Sequence, residues 1–355
     1  MITVLPGREL SQNLADKWRA LQASNTYLAP PYFCPEFTSA VASVRDDLHF
    51  AIMENHGKVA AFFPYQSQGR CGQPVGGPVC DFQGIVCGPN FEVDVLRLLK
   101  ACKLHAFDFD HMLTLQSGFG LHARGLEVSP RIDISQGYAA YVAERRSAGS
   151  QQIKKCGNLM RRIEREVGPL SFVAHSDDAG LLGKVLAWKS AQYMRTGQSD
   201  LFAVPWVRSL VERIHAIDAR GFAGCLSLLY AGDRLVAGHF GMRTPSVWHY
   251  WFPAYDMRFS KYSPGLLLLL KITEHAAALG TMHIDLGKGM SLYKERLMNA
   301  RTVLSYGSVE VPSLLKFKRT IGRYVWTRAR KAILNSPIEG PARRLVQAHR
   351  QRTAM

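Results

Sequence analysis

The stretch FSKYSPGLLLLLKITEHAAALG, residues 259–280, decides how the second part of this chain is read. It sets the turn chemistry of Ser263-Pro264-Gly265 against five consecutive leucines, Leu266 to Leu270. A transmembrane helix needs roughly 20 apolar residues in a row. Here Lys271 and Glu274 close the run far too early, so it reads as a core helix. Proline suits the first helical position, where an N–H would have no intrahelical partner. Ser263 stands where an N-cap is expected and Gly280 where a helix stops. The spacing predicts a helix from about Pro264 to Ala278, apolar on nearly all sides and therefore buried. Its first turn has unpaired N–H groups at the positive end of the helix dipole, and such a turn is a ready anion site. The preceding loop adds Arg258 and Lys261. An ordinary capped core helix with no ligand is the competing reading.

Working outward, the 355 residues suggest two domains as a prior. Charge is uneven along the chain. Met1 to Ala140 hold 11 Lys+Arg against 13 Asp+Glu, a net of −2. Tyr141 to Met355 hold the remaining 33 against 15, a net of +18, which restores the +16 of the whole. That asymmetry points the second part at an anionic partner: phosphate, nucleic acid or lipid headgroups. The seven cysteines (Cys34, Cys71, Cys80, Cys87, Cys102, Cys156 and Cys225) are odd in number and include no Cys-x-x-Cys. They read as reduced, mostly buried thiols, not as a disulfide framework or zinc site, and no metal is expected. No Gly-x-Ser-x-Gly elbow, Walker loop or His-Glu-x-x-His occurs.

Leu48 to Tyr65 reads as two strands flanking Asn55-His56-Gly57, a hairpin signal. A Gly-rich loop follows. Val93 to Phe107 has helical spacing, and HMLTLQ after it looks like a strand. Tyr141 to Glu166 reads as one or two exposed basic helices ending at Gly168, and helical periodicity returns over 178–195 and 205–220. Cys225 to Met242 is a second hairpin, turning at Ala231-Gly232-Asp233 on the plan of the first, which hints that the two halves share a fold. SVWHYWFP (246–253) is an aromatic strand, His283 to Leu286 a short strand, Ser291 to Met298 a short helix and Thr302 to Val311 a closing strand. The expected fold class is mixed α/β, divided as 1–145, 146–312 and a basic tail, 313–355.

Tyr250, Tyr255, Ser263-Pro264-Gly265, Gly280, Asp285-Leu286-Gly287 and Tyr293-Lys294 follow one another in a recognisable order. The run resembles the C-terminal core of GNAT-type acyltransferases, in the CelD-like branch of cellulose and polysaccharide biosynthesis acetyltransferases, related to the FemAB peptidyltransferases. The resemblance covers roughly Ala148 to Val311. It implies tandem GNAT-like units, each a mixed sheet flanked by helices. It also implies transfer of an acyl group from a thioester, acyl-CoA or acetyl-CoA, to an amine such as an amino sugar or a precursor of envelope polysaccharide. The pyrophosphate would lie on the backbone of Lys261 to Leu266, where Pro-Gly replaces the Gln/Arg-x-x-Gly-x-Gly/Ala loop of typical GNAT enzymes. Donor-binding candidates are accordingly Arg258, Lys261, Ser263, Gly265 and Leu266.

Aminolysis of a thioester asks for loss of a proton from the amine and gain of one by the thiolate. Tyr293 stands where GNAT enzymes place their acidic tyrosine, with packing against the sheet as its alternative. Asp285 ends a short strand and is a catalytic candidate, with a salt bridge to Lys288, Lys294 or Arg296 as the alternative. His249 is the candidate base, with a satisfied structural histidine as the alternative. Tyr250, Asp256 and Lys294 are the acceptor-binding candidates; a turn role competes for Asp256.

From Lys316 to Met355 there are eleven Lys/Arg and one acid, Glu339. Such a basic amphipathic helix can lie on an anionic membrane, contact tRNA or dock on the protein's own body. A FemAB-like, aminoacyl-tRNA-dependent transferase and a non-catalytic GNAT scaffold at the membrane are the rival functions. The N-terminus meets Pro6 and charges at once, without the apolar run of a secretory signal, so the expected location is the cytoplasm, or peripherally the inner membrane.

Overall fold

Two hairpins organise the sheet, and both turn where glycine permits a left-handed backbone. His56 and Gly57 have φ of 48° and 73° between strands β2 (Leu48–Asn55) and β3 (Lys58–Gln68). Gly232 has φ 59° between β10 (Phe222–Ala231) and β11 (Arg234–Arg243). The paired positive φ values of His56 and Gly57 give a turn whose twist matches that of the strands. The computed structural model describes residues 1–313 and Arg319. The remaining strands are β1 (Ile2–Pro6), β4 (Cys71–Gln73), β5 (Val86–Cys87), β6 (Ala106–Leu113), β7 (Ala123–Asp133), β8 (Leu170–Val173), β9 (Asp218–Ala219), β12 (Val247–Tyr255), β13 (His283–Asp285) and β14 (Ala300–Glu310). The helices are α1 (Gln12–Ala23), α2 (Pro35–Ala42), α3 (Val95–Ala101), α4 (Ser117–Gly120), α5 (Tyr138–Ser147), α6 (Gln152–Glu166), α7 (Ala179–Arg195), α8 (Pro205–His215), α9 (Pro264–Ala278) and α10 (Leu292–Leu297).

The strands join in one mixed sheet of order β1-β2-β3-β4-β6-β14-β7-β13-β12-β11-β10-β8, with β5 on β3 and β9 on β10. Each half repeats a plan. β1, β2 and β3 are antiparallel and β4 then pairs in parallel with β6. β10, β11 and β12 are antiparallel and β12 then pairs in parallel with β13. The final strands cross over: β7 of the first half lies on β13, β14 of the second lies on β6, and the two pair with each other. The halves are therefore welded through their backbones. The boundary expected at 145/146 falls inside α5.

Helices cover both faces of the second half, which is why β10 reads FAGCLSLLYA with no polar alternation. On one face α7 and α8 pack Leu186, Leu210 and Val211 against Leu226, Phe240 and Phe252, in a core that runs on to Trp18 and Phe37 of the first half. On the other, α5, α6 and α9 pack Tyr141, Ile163 and Leu268 against Leu229, Val236 and Trp248. α9 has the predicted bounds and buries Leu267 to Leu270. Thr281 N–H closes it on the Ala276 carbonyl with Gly280 at φ 77°.

Two expectations change, and a third lies almost wholly outside the described residues. Ser263 does not cap α9 with its side chain; it is left-handed at φ 49°, and its carbonyl receives the Leu266 and Leu267 N–H groups. The helical reading of 93–107 ends at Ala101, because Lys103 turns left-handed at φ 56° and Ala106 already begins β6. Of the tail beyond Ser313, only Arg319 is described: it pairs with Glu310 at 3.0 Å and with Asp108, and the rest of the amphipathic-helix reading lies outside the described residues. Among the described residues no helix is long and apolar enough to cross a membrane.

Candidate active site

β12 and β13 pair only from Val247–His283 to His249–Asp285. β13 then ends, while β12 continues to Tyr255 on its β11 side. Past His249 the two strands part and leave one edge of β12 open. A cleft of about 600 Å³ fills the opening, bordered by Lys189 and Tyr193 of α7, Gly287, Lys288 and Tyr293 after β13, and Asp81 of the first half. A second hollow of about 340 Å³ runs to the start of α9, along Tyr255, Ser263, Gly265 and Leu266. Lys189, Tyr250, Pro253 and Tyr293 line both, so the two hollows form one groove. The Tyr250 hydroxyl donates to the Gly265 carbonyl at 3.2 Å and ties β12 to the first turn of α9.

Behind the groove lies a buried chain of charge. His249 Nδ1 is 3.1 Å from Asp285 Oδ1; its Nε2 is 2.7 Å from the Tyr32 hydroxyl and 3.4 Å from Asp81 Oδ2. Asp285 also accepts from the Ser129 hydroxyl at 3.1 Å and the Gly287 N–H at 2.8 Å. Burial alone would lower the pKa of His249, but its bonds to Asp285 and Asp81 outweigh that and raise it to about 9. Burial would likewise raise Asp81, but the bond from His249 and the charge of Lys288 pull it down to about 2. At neutral pH the imidazolium thus sits between two carboxylates, one of which faces the groove. Lys288 stands 3.1 Å from Asp110 and 3.9 Å from Asp81.

The groove gathers some of the residues singled out by sequence and not others. Tyr250, Ser263, Gly265, Leu266, Tyr293 and Lys294 line it. Burial pushes the Tyr293 phenol up to about 12, which keeps it protonated. The Lys294 ammonium donates to the Gly287, Lys288 and Gly289 carbonyls, at 2.9–3.1 Å, and holds the loop that leads into α10 and Tyr293. His249 and Asp285, the expected base and catalytic carboxylate, are both wholly buried, and Asp81 stands between His249 and the groove. Asp256 takes the turn role: its carboxylate caps Arg258 N–H and binds the Arg258 guanidinium. Arg258 and Lys261 border a separate depression of about 500 Å³, and Lys261 pairs with Glu166 at 3.1 Å, so neither reaches the α9 hollow.

Asp81, Lys189 and Tyr32 were not foreseen, and Lys288, expected as a partner of Asp285, stands by Asp110 and Asp81 instead. Tyr32 and His249 are 217 positions apart, a distance no local pattern reports. Lys189 did leave a signal: it continues the buried stripe Leu182, Val185, Leu186 of α7, a cation where an apolar residue fits the pattern.

Gly287 completes the site. Its φ is 73°, and a Cβ there would lie 2.9 Å from Asp81 Oδ2. Gly287→Ala is expected to lose about 1–3 kcal/mol of stability from backbone strain alone and to displace Asp81, measurable by urea unfolding.

Residues 150–295 match the family model Acetyltransf_6, an acetyltransferase (GNAT) domain. No curated protein matches the chain. Among solved structures, FemX aligns with 9% identity and a TM-score of 0.57, covering 83% of this chain and 94% of its own. A conserved protein of unknown function from Bacteroides thetaiotaomicron aligns with 11% identity and a TM-score of 0.55, over 84% and 97%. The C-terminal domain of a putative lysylphosphatidylglycerol synthetase from Agrobacterium fabrum aligns with 12% identity and a TM-score of 0.52, over 84% and 91%. At such identities these likenesses speak for the fold. Residues 150–295 thus match a GNAT acetyltransferase domain, within a chain whose mixed α/β fold is that of its structural neighbours, FemX among them.

Proposed function

We propose that the chain is an acyltransferase that moves an acyl group from a thioester, acyl-CoA in the first instance, to an amine. The observation that carries this is the parting of β12 and β13 above the first turn of α9, which opens one groove with two ends. An extended, amide-bearing arm can add to the open edge of β12 as a strand would, its phosphates at the α9 N-terminus and its thioester beside Tyr250 and Tyr293. The acceptor enters from the larger hollow, its ammonium drawn to Asp81. The amine nitrogen bonds to the carbonyl carbon, the carbon–sulfur bond breaks and the Tyr293 hydroxyl donates a hydrogen bond to the leaving thiolate. The ammonium gives up one proton to solvent before the attack, and the second, released from nitrogen as the amide forms, reaches the thiolate through water at the mouth of the groove.

The Ser-Pro-Gly and Tyr-Lys pattern favours the CelD-like branch and an envelope amino sugar as acceptor class. One observation favours a second donor. Lys154, Lys155, Arg161 and Arg165 are exposed on α6, a basic face suited to the phosphate backbone of an aminoacylated RNA. Release of free CoA from acetyl-CoA, stimulated by members of an amine panel, is the expected result for the first reading. No stimulation, together with RNA retained on the purified chain, would replace it with the second.

A further inference from the structure

The acceptor can be narrowed by the charges in its hollow, on the reading above that this hollow takes an amine. Lys189 lies where the two hollows meet and is only 9% exposed. Its Nζ is 3.3 Å from Gln192 Oε1 and 5.1 Å from the centre of the Tyr193 ring. Among the described residues no carboxylate pairs with it; burial, then the charge of Lys294, pulls its pKa down to about 8. The other groove cations are answered, Lys288 by Asp110 and Asp81 and Lys294 by three carbonyls. An ammonium taken out of water without a counter-charge is costly. Gln192 and Tyr193 soften that cost but do not cancel the charge. At another wall of the same hollow Asp81 presents the opposite charge.

We infer that the acceptor is an amine that also carries an oxyanion group, carboxylate or phosphate, bound with its ammonium toward Asp81 and its oxyanion on Lys189. A neutral amine would leave the buried cation unanswered. A ligand with both charges answers Lys189, while its ammonium joins the cations, His249 and Lys288, that Asp81 already holds; the charge-assisted hydrogen bond at Lys189 is the source of the discrimination.

The test is binding by the full-length protein of matched amines that differ only in the anion. The pairs are γ-aminobutyrate with n-butylamine, ε-aminocaproate with n-hexylamine, and glucosamine phosphate with glucosamine. At least one anionic member is expected to bind about tenfold or more tighter than its neutral counterpart, the worth of one charge-assisted hydrogen bond. Preference within an amino-acid pair assigns a carboxylate, and within the sugar pair a phosphate. Lys189→Met should erase the preference and Lys189→Arg retain it. Equal binding within every pair by the unsubstituted protein overturns the inference, as does a preference that survives in a folded Lys189→Met protein. CoA binding, measured alongside, is independent. CoA binding without amine discrimination removes this inference alone, and discrimination without CoA binding removes the thioester donor alone.

Discussion

Replacing Asp285 with alanine should lower the stability of the folded chain by about 3–5 kcal/mol, the cost of removing one partner from a buried ion pair. The carboxylate is fully buried and holds three groups: His249 Nδ1, the Ser129 hydroxyl and the Gly287 N–H. The substitution leaves the imidazolium with only Asp81 and Tyr32 on its far side. The pH dependence of stability should change with it. The folded pKa of His249, about 9, lies above its ordinary value of 6.5. The pair's contribution is therefore complete below pH 6.5 and lost as pH rises through 9, on the order of 3 kcal/mol across that window. Chemical unfolding between pH 6 and pH 9 should show the stability gap between the parent and Asp285→Ala narrowing as pH rises, since Lys189 and the buried cysteines titrate alike in both. A gap that stays constant across that window would mean that Asp285 does not hold the His249 proton.

The second large effect is on turnover. Asp81→Asn keeps the size of the side chain but removes the carboxylate that faces the groove and stands beside His249 and Lys288. Loss of a charge-assisted contact to the acceptor ammonium is worth about 1.5–3 kcal/mol, which is roughly ten- to a hundredfold in kcat/KM. The effect should fall mainly on KM for the amine and leave acyl-CoA binding unchanged. An unchanged amine KM would assign Asp81 to the support of His249 alone.

The residues of α9 show what a sequence can reveal. Proline at the first position, a leucine run and a stop at Gly280 fix the helix locally, and the structure has those bounds. The hairpins at Gly57 and Gly232 were legible for the same reason, since a turn residue and its flanking strands lie side by side in the chain. Crossing of β7 and β14 was not, because pairing partners such as Thr302 and Ser129 lie far apart and their strands carry ordinary alternation. The site divides similarly. Tyr250, Gly265 and Tyr293 stand on elements the pattern identifies, and they do line the groove. Asp81 comes from a Gly-rich loop of the other half, and only the folded sheet brings it within 3.4 Å of His249. Arg258 looked like a phosphate ligand from its place before the helix, but a neighbour two residues away, Asp256, binds it first.

Thermal unfolding with and without CoA tests the central claim most directly. Ligand at about 100 times its dissociation constant should stabilise the protein by about 2.7 kcal/mol. Gly265 lines the α9 hollow, and a Cβ there would make only ordinary contact, 3.5 Å from Tyr255 Cδ1. The backbone there accepts a side chain, and Gly265→Phe, its ring directed into the hollow, should lose the CoA effect while circular dichroism and its own unfolding transition check that it folds. Stabilisation by CoA that disappears in this variant is the predicted result. No stabilisation by CoA or acetyl-CoA at millimolar concentration, or stabilisation that persists in Gly265→Phe, would contradict the claim that this groove holds a thioester donor.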